Sequence, residues 1–293
     1  MTRPSLRSRV ETPGLIVIPV IYDALSARVA SEAGFEAVSL GSMSVTATLY
    51  GLPDTGFMSL GDMVDHVRRI RAAVPEVMIV ADAEAGFGNP VHVVRVVREL
   101  EVAGADALHI EDQLFGKHLT VQPEMASAEL TAAKIEAAVD ARSSNEFLII
   151  ARTDTQWATP RDSDQSFGPE EAIRRCNIFA EAGADMVLLP ATPFDQMAQV
   201  AAEIQVPVIS TAMLCPDDTK WSDFEGTGLK AILYHDVGIN SAIVGVRKAL
   251  HGLASAQSLA GAREHLLPFA EVDEFLGIDE IRETARRFGV ISN

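Results

Sequence analysis

Short, continuous apolar runs alternate along this chain with longer segments whose apolar residues recur at helical spacing. Aliphatic runs of this kind, bounded by glycine, proline or acidic residues, read as strands buried on both faces, as in a parallel sheet covered by helices. They fall near residues 15–20, 36–40, 77–81, 106–110, 146–151, 185–189, 206–210 and 230–234. One phrase recurs among them. Glu32-Ala33-Gly34-Phe35-Glu36-Ala37-Val38 returns as Val102-Ala103-Gly104-Ala105-Asp106-Ala107-Leu108, and again as Glu181-Ala182-Gly183-Ala184-Asp185-Met186-Val187. Each copy is a helix that stops at a glycine, which tolerates left-handed backbone, and passes directly into a strand. The glycines stand 70 and 79 residues apart, room for two strand-plus-helix units in each interval.

Eight alternating units predict a (β/α)8 TIM barrel, with a doubly wound open sheet as the architectural alternative. An eighth helix is expected over 239–253, followed by helical segments over 257–266 and 271–287. The last carries an apolar stripe of Phe275, Leu276, Ile278, Ile281 and Ala285, which is expected to pack on a neighbour in the same chain or another subunit. No Ser/Gly-rich linker interrupts the chain, so 1–293 reads as one domain, with 254–293 a C-terminal helical extension.

Composition narrows the function classes. With 48% hydrophobic residues among 293, the chain has too much apolar material to remain disordered, and its two cysteines are too few for a disulfide scaffold. A reducing cytoplasm is the expected compartment. Acids outnumber Lys and Arg 41 to 24, a net charge of −17, which repels phosphate backbones and anionic lipid. The apolar run Leu15–Ile21 is too short to span a bilayer and contains Pro19. Neither nucleic acid nor a membrane is an expected partner.

In such a barrel the chemistry belongs at the C-terminal ends of the strands. Those positions hold Tyr22, Gly41-Ser42, Asp82-Ala83-Glu84, His109-Ile110-Glu111, Arg152-Thr153-Asp154 and His235. Asp82 and Glu84 are two apart, so on extended backbone both face the same way, and Glu111 comes from the adjacent strand end. Three converging acids repel unless a cation intervenes, and an all-oxygen set suits Mg²⁺ or Mn²⁺. Arg152 suits a bidentate grip on a substrate carboxylate, although a salt bridge to a neighbouring acid would use the same fork. His235, facing the same rim, is a candidate to bind substrate or relay a proton.

These stretches resemble the isocitrate lyase/phosphoenolpyruvate mutase superfamily. The resemblance runs through Tyr22-Asp23-Ala24-Leu25-Ser26-Ala27, Gly51-Leu52-Pro53-Asp54, Asp82-Ala83-Glu84-Ala85-Gly86-Phe87-Gly88-Asn89, Ile110-Glu111-Asp112-Gln113, Lys134-Ile135-Glu136-Ala137-Ala138 and Ile149-Ile150-Ala151-Arg152-Thr153-Asp154. It implies a Mg²⁺-dependent enzyme whose substrates pass through an enolate of pyruvate or of a close relative such as glyoxylate or succinate, with Asp82 as direct metal ligand and Glu84 and Glu111 holding the metal, often through water. It further implies that backbone N–H groups at Gly41 and Ser42 bind carboxylate or oxyanion, that Tyr22 orients substrate or a metal water, and that Asp54 belongs to a gating loop. Paired subunits of that family exchange their last barrel helix, which implies a dimer of helix-swapped dimers.

The departures bear on which bond breaks. The family's C–C lyases carry Lys-Lys/Arg-Cys-Gly-His after the fourth strand, the cysteine donating a proton to the enolate. Here Glu111-Asp112-Gln113-Leu114-Phe115-Gly116-Lys117-His118-Leu119 holds no cysteine, Glu84 replaces an aspartate, and Gly41-Ser42 replaces Ser-Gly. Lys117 matches the family's loop lysine, and His118 is a candidate general acid in place of the cysteine. The leading expectation is a lyase of a 2-hydroxy di- or tricarboxylate of the 2-methylisocitrate or alkylmalate type. Oxaloacetate decarboxylation, phosphonopyruvate hydrolysis or phosphonomutase chemistry, and a catalytically silent scaffold are the alternatives.

Overall fold

A computed structural model describes residues 5–114, 124–158 and 167–292. Among them, eight parallel strands close into a barrel in sequence order: β1 (Ile16–Ile21), β2 (Ala37–Leu40), β3 (Met78–Asp82), β4 (Ala107–Glu111), β5 (Leu148–Arg152), β6 (Met186–Leu189), β7 (Val208–Thr211) and β8 (Leu229–Tyr234). β8 pairs with β1 through Ile16–Ala231 to Pro19–Tyr234, which closes the cylinder and excludes the open sheet. The helices between strands are α1 (Leu6–Glu11), before β1, then α2 (Ala24–Glu32), α3 (Ser42–Tyr50), α4 (Leu60–Ala73), α5 (Pro90–Ala103), α6 (Ala128–Ala141), α7 (Pro169–Glu181) and α8 (Met197–Ala202).

The period-two alternation of each strand divides the apolar residues into two layers. Ile16, Ile18, Val20, Met78, Val80, Leu148, Ile150, Met186, Leu188, Ile209 and Leu233 fill the barrel interior, with Leu6 of α1 among them. Ile79, Ala81, Leu108, Ile110, Ile149 and Val187 face outward into the helix layer, against residues such as Val67, Val97, Leu100, Ile135 and Phe179. Inward ionisable side chains gather at the C-terminal end of the barrel, where Asp82, His109, Glu111 and Arg152 succeed Val80, Ala107 and Ile150, and Ser39 lies one layer below, level with Val80.

The repeated phrase has a second purpose beyond stopping a helix. Asp106 Oδ2 accepts from the Ile79 amide at 2.7 Å and from Arg71 Nη2 at 2.7 Å. Asp185, its equivalent, accepts from the Ile149 amide at 2.8 Å and from Arg142 Nη1 at 2.6 Å. In each case the acid beginning one strand clasps the amide of the preceding strand and the arginine at the end of a helix. Glu36, in the first copy, pairs with Arg9 Nε at 2.6 Å. These clasps lie at the strands' N-terminal ends, the face that carries stability in this architecture.

The chain forms two compact units, Met1–Ile239 and Asn240–Asn293, so the second begins inside α9 (Val237–Ala256), upstream of the residue 254 boundary expected for the extension. Within the second unit the expected 257–266 helix is replaced by two single 3₁₀ turns, Leu259–Gly261 and Arg263–His265. At the first, Gly261 and Gly252 approach so closely that a Cβ on Gly252 would meet the Gly261 carbonyl oxygen at 1.9 Å. The expected 271–287 helix is broken into α10 (Phe269–Phe275) and α11 (Ile278–Arg287) by Gly277, whose φ is +84°. Among the described residues, no helix is long and apolar enough to cross a membrane.

Replacing Asp106 by Ala leaves the Arg71 cation and the Ile79 amide without their buried carboxylate. The expected loss is about 3 kcal/mol, read as a lowered midpoint of urea unfolding at an unchanged slope.

Candidate active site

A chamber of ≈ 170 Å³ opens over the C-terminal ends of the strands, with Gly41, Ser42, Asp54, Asp82, His109, Arg152, Trp157 and His235 in its wall. Five of the sequence-predicted positions thus share one chamber with Asp82. Arg152 is its fixed cation. Nε and Nη2 donate to the two Asp154 oxygens at 2.8 and 3.0 Å, and Nη1 stands 3.1 Å from Glu111 Oε2. The guanidinium is 7% exposed, and Asp154, Glu111 and Asp82 hold its pKa well above the usual arginine value against the opposing effect of burial. A guanidinium carries five N–H groups; the Asp154 fork takes the Nε and Nη2 side, Nη1 is directed at Glu111, and Arg152 lines the chamber. The salt bridge and the substrate grip, alternatives on sequence, are compatible: Asp154 orients the group that Arg152 presents.

Asp154 is itself built in. Gln113 Nε2 donates to its Oδ2, and the neighbouring Asp112 accepts from the Asp154 amide at 3.0 Å, Thr153 Oγ1 at 2.7 Å and Arg175 Nη1 at 3.0 Å. Burial, and then the adjacent Asp154 charge, push the Asp112 carboxyl up to about 6, with Thr153 and Arg175 opposing.

Asp82, 4% exposed, accepts from the Ser42 amide at 3.1 Å and Ser42 Oγ at 2.8 Å on Oδ2, and from the Glu84 amide at 2.9 Å on Oδ1. His109 Nδ1 stands 3.7 Å from Oδ1. Ser42 thus gives both its amide and its hydroxyl to Asp82 and orients that carboxylate. Gly41 caps α3, whose first residues Ser42, Met43 and Ser44 border the chamber, so a helix N-terminus faces it. Gly41 admits no side chain, because a Cβ would stand 2.8 Å from Val20 Cγ1.

Two expectations need correction. Glu84 does not share the face of Asp82. β3 ends at Asp82, and Glu84 adopts φ +51°, so the alternation of extended backbone no longer applies. Glu84 instead lines a second cavity of ≈ 410 Å³ with Glu111, Gln113 and Lys134. Accordingly, among the described residues no three His, Cys, Asp or Glu side chains form a ready metal cage. The donor chemistry still fits Mg²⁺, which binds through one or two carboxylates and keeps several waters. Asp82 is the oriented oxygen donor in the chamber, with Glu84 and Glu111 on the flanking side. Second, Tyr22 lines neither cavity; its hydroxyl pKa is raised by partial burial and by Asp23.

Lys117 and His118 lie outside the described residues. Cys176 is fully buried in α7, in the outer layer, and Cys215 lines a further cavity of ≈ 340 Å³ together with His235. Sequence reasoning placed Asp154 at a strand end and Lys134 in a family stretch but gave neither a role in the site. A signal was present for each: an acid two residues from a strand-end arginine, and a lysine on the apolar face of a helix otherwise marked by Thr131, Ile135 and Ala138.

Burial and the nearby Arg152 charge lower His235 from 6.5 to about 4, so it is neutral at pH 7. An unfolded chain takes up this proton near 6.5 and the folded one only near 4, so stability falls as pH drops through that window. His235→Asn is expected to flatten this acid-side loss in urea titrations between pH 4 and 6.5, with no change in slope above pH 7.

With this geometry established, residues 6–254 match the model of the phosphoenolpyruvate phosphomutase family. The chain is 30% identical over 296 residues to the 2,3-dimethylmalate lyase of Eubacterium barkeri, covering 98% of each chain. Its structure superposes on a phosphoenolpyruvate phosphomutase from Streptomyces platensis subsp. rosaceus with a TM-score of 0.88 at 28% identity, covering 97% of this chain and 98% of the other. A phosphonopyruvate hydrolase solved with oxalate and Mg²⁺ matches at TM-score 0.85 and 27% identity, over 97% of both chains. A closed barrel, a polar ring at its C-terminal mouth and a match across most of the chain agree, and the protein belongs to the phosphoenolpyruvate phosphomutase family of the isocitrate lyase superfamily.

Proposed function

We propose that the protein is a Mg²⁺-dependent lyase that cleaves a C–C bond of a 2-hydroxy di- or tricarboxylate, of the 2-alkylmalate or 2-methylisocitrate type, through an enolate. The observation that carries this reading is the placement of an oriented carboxylate, Asp82, and an oriented cation, Arg152, in the wall of one small chamber. Full-length similarity to a dimethylmalate lyase supports the substrate class.

Asp82 would hold the metal directly, with Glu84 and Glu111 reaching it through water. A divalent cation there supplies Lewis-acid stabilisation of negative charge developing next to a carboxylate. Arg152 binds a substrate carboxylate with the N–H groups of Nη1 and Nη2 that Asp154 does not engage, beside Glu111. The amides at the start of α3 lend positive potential to an anionic group, while Asp54 and Trp157 wall the chamber. A base takes the proton of the substrate hydroxyl, the C–C bond breaks, and its electron pair becomes the enolate. His235, near 4, is too weak a base for that task at neutral pH and serves better as a hydrogen-bonding partner. Delivery of the proton that quenches the enolate is assigned to Lys117 and His118.

A second reading has an observation of its own. Cys176 is sealed in the outer layer and Cys215 lines a different cavity, so neither takes the place of the cysteine of the family's C–C lyases. Decarboxylation of oxaloacetate uses the same polarised 2-oxo acid and is the alternative. A cytoplasmic enzyme assembled as a dimer of helix-swapped dimers completes the proposal. Its support is the second unit, where Val246, Leu250, Ile281 and Phe288 are exposed and Ala262 alone is buried among the described residues.

With Mg²⁺ and a panel of alkylmalates, methylisocitrate, oxaloacetate and phosphonopyruvate, the expected result is 2-oxo acid release without CO₂ or phosphate. CO₂ from oxaloacetate alone would favour the decarboxylase, and phosphate release would defeat the lyase. Arg152→Lys loses the planar fork and is expected to lower kcat/KM about 100-fold, or about 2.7 kcal/mol; an unchanged kcat/KM would remove Arg152 from the substrate site.

A further inference from the structure

The segment that follows Asp82 is strained. Glu84, Gly86, Phe87 and Gly88 have φ of +51°, +86°, +49° and +149°, so four residues within five occupy a region that costs non-glycine residues roughly 1 kcal/mol or more each. Such a path persists only where its surroundings impose it. Within the loop the Gly86 amide donates to the Ala83 carbonyl at 2.8 Å, and on one side the Glu111 amide donates to the Glu84 carbonyl at 2.9 Å. On the other side the helix layer supplies Val93 of α5, packed against Gly86, and a hydrogen bond: Lys134 of α6 donates Nζ to the Ala85 carbonyl at 2.7 Å.

Lys134 is an unusual residue to find there. It is 5% exposed, and burial lowers its pKa while the Glu111 and Asp112 charges oppose that effect. A buried lysine is costly unless its charge and donors are used. Here its ammonium is anchored on the carbonyl next to Glu84 and lines the same cavity as Glu84 and Glu111. Neither the clasps of the barrel floor nor the Arg152 network requires it.

We propose that Lys134 is a positioning residue for the metal site: by pinning the Ala85 carbonyl it fixes the strained turn that aims Glu84 and delivers the Glu84 amide to Asp82. The inference rests on the reading of Asp82 as the metal ligand. Side chains that orient a metal's ligands without touching it typically contribute 10- to 100-fold in affinity.

The test is Mn²⁺ binding to the full chain, followed by electron paramagnetic resonance of the free ion, with the Tm of the metal-free protein measured in parallel. Lys134→Met is expected to weaken Mn²⁺ binding 10- to 100-fold while the metal-free Tm stays close to wild type. Lys134→Arg, which the adjoining ≈ 410 Å³ cavity has room to accept, is expected to restore most of the affinity. Should the Met variant not fold, Lys134→Gln replaces it, since its amide is too short to reach the Ala85 carbonyl. Wild-type affinity in Lys134→Met or Lys134→Gln would overturn the inference. So would an affinity loss that Arg fails to restore and that tracks a fall in metal-free Tm, the signature of a merely structural lysine. If wild-type protein binds no Mn²⁺, or Asp82→Asn binds it as well as wild type, the metal reading itself fails and takes this inference with it.

Discussion

Closing eight parallel strands into a cylinder leaves the last inward side chain of each strand with no apolar layer above it, and the chemistry of this protein depends on what fills those positions. Asp82, His109, Glu111 and Arg152 are all under 8% exposed. Carboxylates so close together in a poorly solvated mouth would repel one another. The guanidinium of Arg152, locked edge-on by Asp154 and facing Glu111, lets that concentration of acid exist in the folded chain. Asp154 is in turn held by Gln113 and by the Asp112–Arg175 pair. The cation is preorganised through packing two layers deep.

Stability and chemistry occupy opposite ends of the barrel. At the N-terminal end, Asp106 and Asp185 tie strand amides to Arg71 and Arg142, and their charges are consumed locally. At the C-terminal end, the acids border cavities and are oriented by donors: Ser42 and the Glu84 amide on Asp82, and Arg152 beside Glu111. The distinction lies in the partners rather than in residue type. Asp106 and Asp185 face an arginine and a strand amide and act as clasps, whereas Asp82 faces a helix N-terminus and lines a cavity.

The architecture was legible because its signals are local. Apolar runs and the recurrent Ala-Gly stop placed all eight strands within a few residues, and each Gly–acid pair marked a helix end and a strand start together. The helical tail was less legible: Gly277 reads as an ordinary break only once its positive φ is seen, and the Gly252–Gly261 crossing is a tertiary event. In the site, Asp82, Arg152, Asp54 and His235 could be found by position on strand ends and by family resemblance. Glu84 could not be aimed, because the period-two rule presumes extended backbone and the chain leaves that conformation one residue after β3. Ser42, Asp154 and Lys134 have roles set by partners 40, 2 and 49 residues away, and of these only the Arg152–Asp154 spacing is visible on one strand.

Proton NMR of propionate and of succinate in D₂O, each with pyruvate and Mg²⁺ present, tests the central claim, that this mouth stabilises the enolate of the carboxylate fragment beside a bound 2-oxo acid. With the protein present, the signal of the protons next to the carboxylate is expected to fall as they exchange for deuterium, and the exchange is expected to disappear in Asp82→Asn. A signal that decays no faster than in enzyme-free Mg²⁺ solution for both acids, from protein shown to bind the ion, would contradict the account.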